Sequence, residues 1–142
     1  MHRPSYATPQ AAEAAFYDAF ERADIDAMMA VWADDPGIIC IHPMGPVLCG
    51  RAAVRRSWQA IFRNSPPMQL RIKDGHYFQD SAIAVHVVQE DITVDGDAKQ
   101  HASILAANAY RLTTAGWRLL LHHASPAPKA QEPRRGAPQV LH

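Results

Sequence analysis

No stretch of this sequence approaches the roughly 18 consecutive apolar residues that a membrane-crossing helix needs. Residues 1–10 lack the apolar core of a secretion signal. An excess of either charge is also missing: Lys plus Arg and Asp plus Glu number 14 each, for a net charge of zero. Nucleic-acid and membrane-surface binding both draw on a basic excess, so the sequence predicts neither partner. Cysteine is scarce. Cys40 and Cys49 flank one turn and read as reduced thiols of a cytosolic chain, with a single disulfide as the other arrangement. There is no internal repeat, no HExxH and no His-x-His pair. His122 and His123 are adjacent, so on a strand they point to opposite faces. A zinc site needs three or four converging ligands, and the expectation is no metal and no cofactor.

What is present fits one domain with a single core: 142 residues, 48% hydrophobic and 20% charged. Eight histidines are the compositional hint of chemistry. Thr8-Pro9 reads as a helix start, with Thr8 as N-cap and Pro9 at the first helical position. Ala12, Phe16, Ala19, Phe20 and Ala23 then recur at helical spacing, with Tyr17 at the edge of that stripe. Asp24 caps a second helix carrying Met28, Met29, Val31 and Trp32, and Asp34-Asp35-Pro36-Gly37 ends it. A third helix is predicted over residues 51–63, with Ala53, Val54, Trp58, Ile61 and Phe62 inward. The period then changes to two. Four long strands follow, near residues 70–77, 82–94, 98–113 and 117–124, with hairpin turns at Asp95-Gly96-Asp97 and Ala115-Gly116. Short turns between successive strands imply antiparallel pairing. The fold class is α+β, with N-terminal helices packed against a curved antiparallel sheet. Residues 1–8 read as an N-terminal arm, 9–125 as the domain and 126–142 as a Pro-rich tail too poor in apolar residues to dock. Deleting residues 128–142 is expected to leave the melting temperature nearly unchanged.

The chain is organised around Ile38-Ile39-Cys40-Ile41-His42-Pro43-Met44-Gly45-Pro46. Four β-formers nearly in a row make a short buried strand. Pro43, with no N–H, stops the ladder just after His42, and Gly45-Pro46 turns the chain. A ring that titrates near neutrality is thereby fixed at the end of a buried strand. That suits a general base, and equally a histidine that caps the strand by bonding to backbone.

In order, these features resemble the nuclear transport factor 2-like superfamily, with its cystatin-like cone, which includes ketosteroid isomerases and SnoaL-like cyclases. The carriers are Phe16-Tyr17-Asp18-Ala19-Phe20 with Ala23-Asp24-Ile25-Asp26, Val31 to Pro36, His42-Pro43-Met44-Gly45, Gly50 to Val54, Asn108 to Leu112, and Gly116-Trp117-Arg118 through His122-His123-Ala124-Ser125. The final segment is also similar to the association domain of calcium/calmodulin-dependent kinase. The resemblance implies a cone-shaped α+β barrel. It also implies a role for three positions. The isomerases' general base, an Asp before Pro, falls on His42. Their acid on the third long strand falls on Asn108. Their helix-1 Tyr falls on Phe16, with Tyr17 one step off, about 100° round the helix.

On that footing His42 is the candidate catalytic residue, with its ring within one side chain's reach of Asn108. Asn108, Tyr17, Trp58, Phe16 and Trp32 are the candidate ligand-binding set. By periodicity alone Trp58, Tyr17, Trp32 and Met28 are core; in a cone fold the same residues line the pocket mouth. A buried Asn108 amide must be bonded, whether to ligand, to His42 or to backbone. Glu90 and Asp91 lie on alternate faces, so one of them points toward the interior or a partner subunit; a solvated or interfacial carboxylate is the plainer reading. The expected function is a pocket for a small organic ligand, with cofactor-free proton transfer as its chemistry, or else a non-catalytic dimeric binding or assembly module. The alternate sets Ala102, Ile104, Ala106 and Ser103, Leu105, Ala107 leave neither sheet face strongly polar. A homodimer through the sheet is expected to cover the outer one.

Overall fold

The computed structural model describes residues 3–94 and 100–128. The chain runs α1 (Pro9–Arg22), α2 (Ile25–Val31), β1 (Ile39–Ile41), β2 (Leu48–Cys49), α3 (Arg51–Asn64), β3 (Met68–Gln79), β4 (Ile83–Val94), β5 (Gln100–Thr113) and β6 (Gly116–Pro126). Thr8 caps α1, its side chain accepting from the Ala11 N–H at 3.0 Å, and Pro9 holds the first turn. Ala23 ends the helix in the left-handed conformation. Asp24 then caps α2 by accepting from the Ala27 N–H. Gly50 opens α3 at φ 85°, where a side chain would be strained. Arg51 follows and donates to the carbonyls of Met29, Trp32 and Ala33. Those carbonyls at the end of α2 lack helical partners, so a single guanidinium ties α3 to α2.

The strands form one sheet in the order β2-β1-β6-β5-β4-β3. β3 through β6 are antiparallel neighbours, as short turns require. The expected all-antiparallel, closed barrel is corrected in two respects. β1 lies parallel to β6, so the sheet is mixed. β2 and β3 sit at its two edges without pairing, so the sheet is open. β1 enters from the helical layer rather than from a hairpin, which frees it from the antiparallel rule. The two-residue β2 is an element the alternation pattern does not reveal. The turn at Asp95-Gly96-Asp97 and the tail beyond residue 128 lie outside the described residues.

The helices cover one face of the sheet. Between the layers are Phe16, Phe20, Met28, Trp32, Ile38, Trp58, Val88, Tyr110 and Leu119, all buried. Two bulges shift the alternation. Between Lys73 and His76 one extra residue moves the inward phase from Leu70 and Ile72 to Tyr77. Opposite Ala109 and Tyr110, one extra residue in β6 moves it from Leu119 to His122. Cys40 and Cys49 are both free. They are offset by one position, Cys40 opposite Leu48 and Cys49 opposite Ile39, so they face opposite sides of the sheet. The N-terminal arm docks on β6 through a bridge between Tyr6 and Gly116, with the Arg118 guanidinium 4.9 Å from the Tyr6 ring centroid.

Candidate functional site

Register places Tyr77, His86, Asn108, His122 and Cys40 in one row across the helix-covered face. In an ordinary core such a row would be apolar. Here His86, Asn108 and His122 are each 1% exposed or less. Glu90, four residues beyond His86 on the same face, is 2% exposed. The sequence reading of Glu90 as a solvated or interfacial carboxylate is therefore corrected. Its side chain points inward with Ala84 and Val88, and it survives there because it is bonded.

The bonds form a chain. Tyr17 Oη donates to Glu90 Oε2 at 2.7 Å, and Asn108 Nδ2 donates to Tyr17 Oη at 2.8 Å. His122 Nδ1 lies 2.6 Å from Asn108 Oδ1. Tyr17 has one proton and gives it to the carboxylate. The amide N–H is thus turned to Tyr17, the amide carbonyl to His122, and His122 carries its proton on Nδ1. Burial pushes Glu90 up to about 7, against the smaller opposing effect of the Tyr17 bond. Burial, then the nearby His42 and His123, pushes His122 down to about 3, so its ring is neutral. Burial, reinforced by Glu90, holds the Tyr17 phenol protonated.

His42 stands past the end of β1, half-buried, its ring centroid 4.8 Å from Trp58 and 6.5 Å from His122. His42 Nε2 is 2.9 Å from Ser57 Oγ. Ser57 spends its only proton on the Val54 carbonyl at 2.7 Å, so His42 Nε2 is the donor and Nδ1 keeps the lone pair. That order rules Ser57 out as a nucleophile activated by His42. Burial lowers His42 below the ordinary histidine value, leaving it neutral near pH 7. Cys40 Sγ is 3.6 Å from the same Nε2, and burial pushes its thiol up to about 12, so it is no thiolate. Trp58 Nε1 is directed at Cys40 without reaching hydrogen-bond geometry.

The structure brings Phe16, Trp58 and His42 together. Phe16 packs 5.6 Å from Trp58 and 5.0 Å from His122. Tyr17 and Asn108 join them through His122, which stands between Asn108 and His42. Trp32 is apart, buried at the end of α2 with its carbonyl taken by Arg3 and Arg51. A second pair, His86 Nδ1 with Glu13 Oε2 at 2.8 Å, extends the polar row toward β3. Three clefts lie elsewhere. One of about 440 Å³ adjoins Asp35 and Arg51, one of about 400 Å³ lies between Arg71 and His101, and one of about 230 Å³ sits beside Phe20 and Pro66. None of the three is lined by His42 or Asn108. Among the described residues no group of three His, Cys, Asp or Glu side chains is placed to hold a metal ion.

Sequence reasoning missed Glu90 and His122. Glu90 carried a signal: it shares parity with Ala84 and Val88, as Asn108 does with Ile104 and Ala106. For His122 the alternation cannot choose between it and His123, because the β6 bulge resets the phase.

Helices laid over one face of an open sheet, with a buried polar row beneath the first helix, define the nuclear transport factor 2-like class of α+β cones. Within that class the chain belongs to the SnoaL-like domain family, whose model matches residues 10–129. Among solved structures it is similar to a protein of Thiobacillus denitrificans proposed as a calcium/calmodulin-dependent protein kinase type II association domain. That match has 43% identity and a TM-score of 0.82, covering 88% of this chain and 99% of that one. It is also similar to a proposed dehydratase of the NTF2-like family from Streptomyces avermitilis, at 31% identity and TM-score 0.78, covering 84% and 93%. A ketosteroid isomerase-like protein from Erwinia carotovora, at 22% identity and TM-score 0.70 over 84% and 94%, shares the fold. No curated protein matches.

Proposed function

We propose that this SnoaL-like protein binds a small organic ligand at His42 and is equipped for cofactor-free proton transfer. The observation that carries this reading is the state of the His42 ring. It is fixed by Ser57 and Trp58, kept neutral by burial, and left with an unprotonated Nδ1 on a half-buried side chain. A neutral imidazole in that condition is a general base needing no metal or cofactor. Trp58 and Phe16 supply an aromatic wall, and Met44 and Val47 are exposed on the segment that follows. The 31% identical proposed dehydratase lends support, since loss of water also turns on moving a proton. The test is titration of a panel of phenols, enols and carbonyl acids against the wild type and His42→Gln. A saturable response from the wild type, lost in a folded His42→Gln, is expected. No response from any member, or one that survives the substitution, overturns the reading.

A second reading, a non-catalytic dimeric module, draws on the other face of the sheet. Phe78, Val85, Ala109, Leu121 and Ile39 form a row there, with Val87 beside it. Phe78 is 59% exposed, a large apolar side chain for a face without a helical cover. The Thiobacillus relative, proposed as an association domain, favours this use. A homodimer through that face is compatible with the His42 site. Light scattering that returns a monomer mass at micromolar concentration rejects it.

A further inference from the structure

The chain of bonds from Glu90 to His122 has a property that no single pair in it has: its direction is set at one end. We infer that His122 is a second ligand-facing group beside His42, and that Glu90 is a positioning residue acting through Tyr17 and Asn108 to fix which His122 ring nitrogen carries the proton. This rests on the His42 site proposed above.

With Glu90 ionised, every donor points toward it, His122 is protonated on Nδ1, and Nε2 is an acceptor. Protonating Glu90 on Oε2, the oxygen that Tyr17 bonds, reverses the order. The carboxylic acid then donates to Tyr17 Oη, Tyr17 donates to the Asn108 carbonyl after a half-turn of the amide, and the amide N–H donates to His122 Nδ1. The His122 proton leaves Nδ1 for solvent and one is taken up on Nε2, so the net change is the single proton on Glu90. No intermediate arrangement satisfies all four groups, and an unmet buried partner is costly. Glu90 is faced by Tyr17 from α1 and Tyr110 from β5, with Ile72 and Ile104 in register beside it. No cation acts on it among the described residues. His122 is faced by Asn108, His42, Trp58 and Phe16, and His123 next to it lies on the other face. Glu13 and His86 are bonded to each other further along the row.

The ligand chemistry follows. With Glu90 ionised, His42 Nδ1 and His122 Nε2 are both acceptors, while Tyr17 has spent its proton on Glu90 and Asn108 has given one of its two amide hydrogens to Tyr17. The site then takes a planar apolar molecule that presents a hydroxyl or N–H, and discriminates against one that offers acceptors alone.

The experiment reads the His122 tautomer in the ligand-free protein by nitrogen-15 NMR. At about pH 8.5 the proton is expected on Nδ1, and at about pH 5.5 on Nε2, with a midpoint that matches the Glu90 carboxyl titration. In Tyr17→Phe the link is cut and the proton stays on Nδ1 at both pH values. A wild-type tautomer that stays constant while Glu90 titrates overturns the inference, as does a switch that persists in Tyr17→Phe. Should Tyr17→Phe not fold, the wild-type titration decides alone. Phenol and anisole, one a donor and the other its methyl ether, then probe the ligand class. Phenol is expected to bind more tightly at the higher pH by about tenfold, the worth of one hydrogen bond, and to lose that margin at the lower. Equal binding of the two at the higher pH overturns the donor preference. A tautomer switch with no binding of either keeps the relay and overturns the His42 binding site.

Discussion

The two faces of the sheet exchange the usual roles. Beneath the helices, where a core is expected to be apolar, stand His86, Glu90, Asn108 and His122. On the open face, where polar residues are expected, stand Phe78, Val85, Val87, Ala109 and Leu121. Buried polar groups cost stability unless bonded, and exposed apolar rows cost solubility unless covered. The inner face meets most of that cost with one bond chain from Glu90 to His122 and a separate His86–Glu13 pair, while His86 Nε2 and Tyr110 Oη find no partner among the described residues. The N-terminal arm pairs with β6 at Gly116, and among the described residues no helix lies on the outer face. On the proposed reading, the inner face serves a ligand and the outer one association.

The sharpest way to break the inner face is Asn108→Leu. It strands the His122 N–H and removes a donor from Tyr17. A loss of about 3–4 kcal/mol in urea unfolding is expected, against under about 1 kcal/mol if the chain were incidental. On the outer face, Val85→Glu places a charge in the middle of the apolar row. Dimer association is expected to weaken by about 3 kcal/mol, or over a hundredfold, in analytical ultracentrifugation, while the monomer's melting stays near wild type.

A third test uses pH. Glu90 has its folded value raised from 4.5 to about 7, so the folded state holds the proton more tightly. That stability is fully present below the unfolded value and is lost as pH rises to the folded one. Glu90→Gln has nothing to ionise. Relative to wild type it should gain up to about 1.4 kcal/mol per pH unit between those values and no more above them. His122 acts in the opposite sense, costing stability as pH falls below 6.5 toward about 3, and the substitution leaves that limb in place. The smallest expected effect on stability is that of His42→Gln. The side chain is half-buried and Gln keeps a donor for Ser57, so a change within about 1 kcal/mol is expected, with binding at the site lost.

Much of the fold was legible because its signals are local. Thr8-Pro9 and Asp24 fix two helix starts through capping chemistry, and Gly116 fixes a hairpin; the Asp34-to-Gly37 stop falls just past the end of α2 at Val31. The parallel β1–β6 pair was not legible, since residues 39–41 and 121–123 meet only through tertiary packing. His42 was visible because Pro43 marks its strand end. Its partner was not: Ser57 lies on α3, 15 residues away. Tyr17 looked one step off the useful position, yet with Phe16 turned to Trp58 and His122, Tyr17 reaches Glu90 and Asn108. Bulges in β3 and β6 shift side chains by one face, and no period-two pattern predicts where an extra residue falls.

The division of labour between the faces can be read in one titration. Phenol is added to uniformly labelled protein, and shift changes are mapped over both faces. Saturable changes at the His42, Trp58 and His122 rings are predicted, absent in His42→Gln. Changes confined to Val85, Val87 and Leu121, or unaffected by that substitution, would place binding on the outer face and contradict the account.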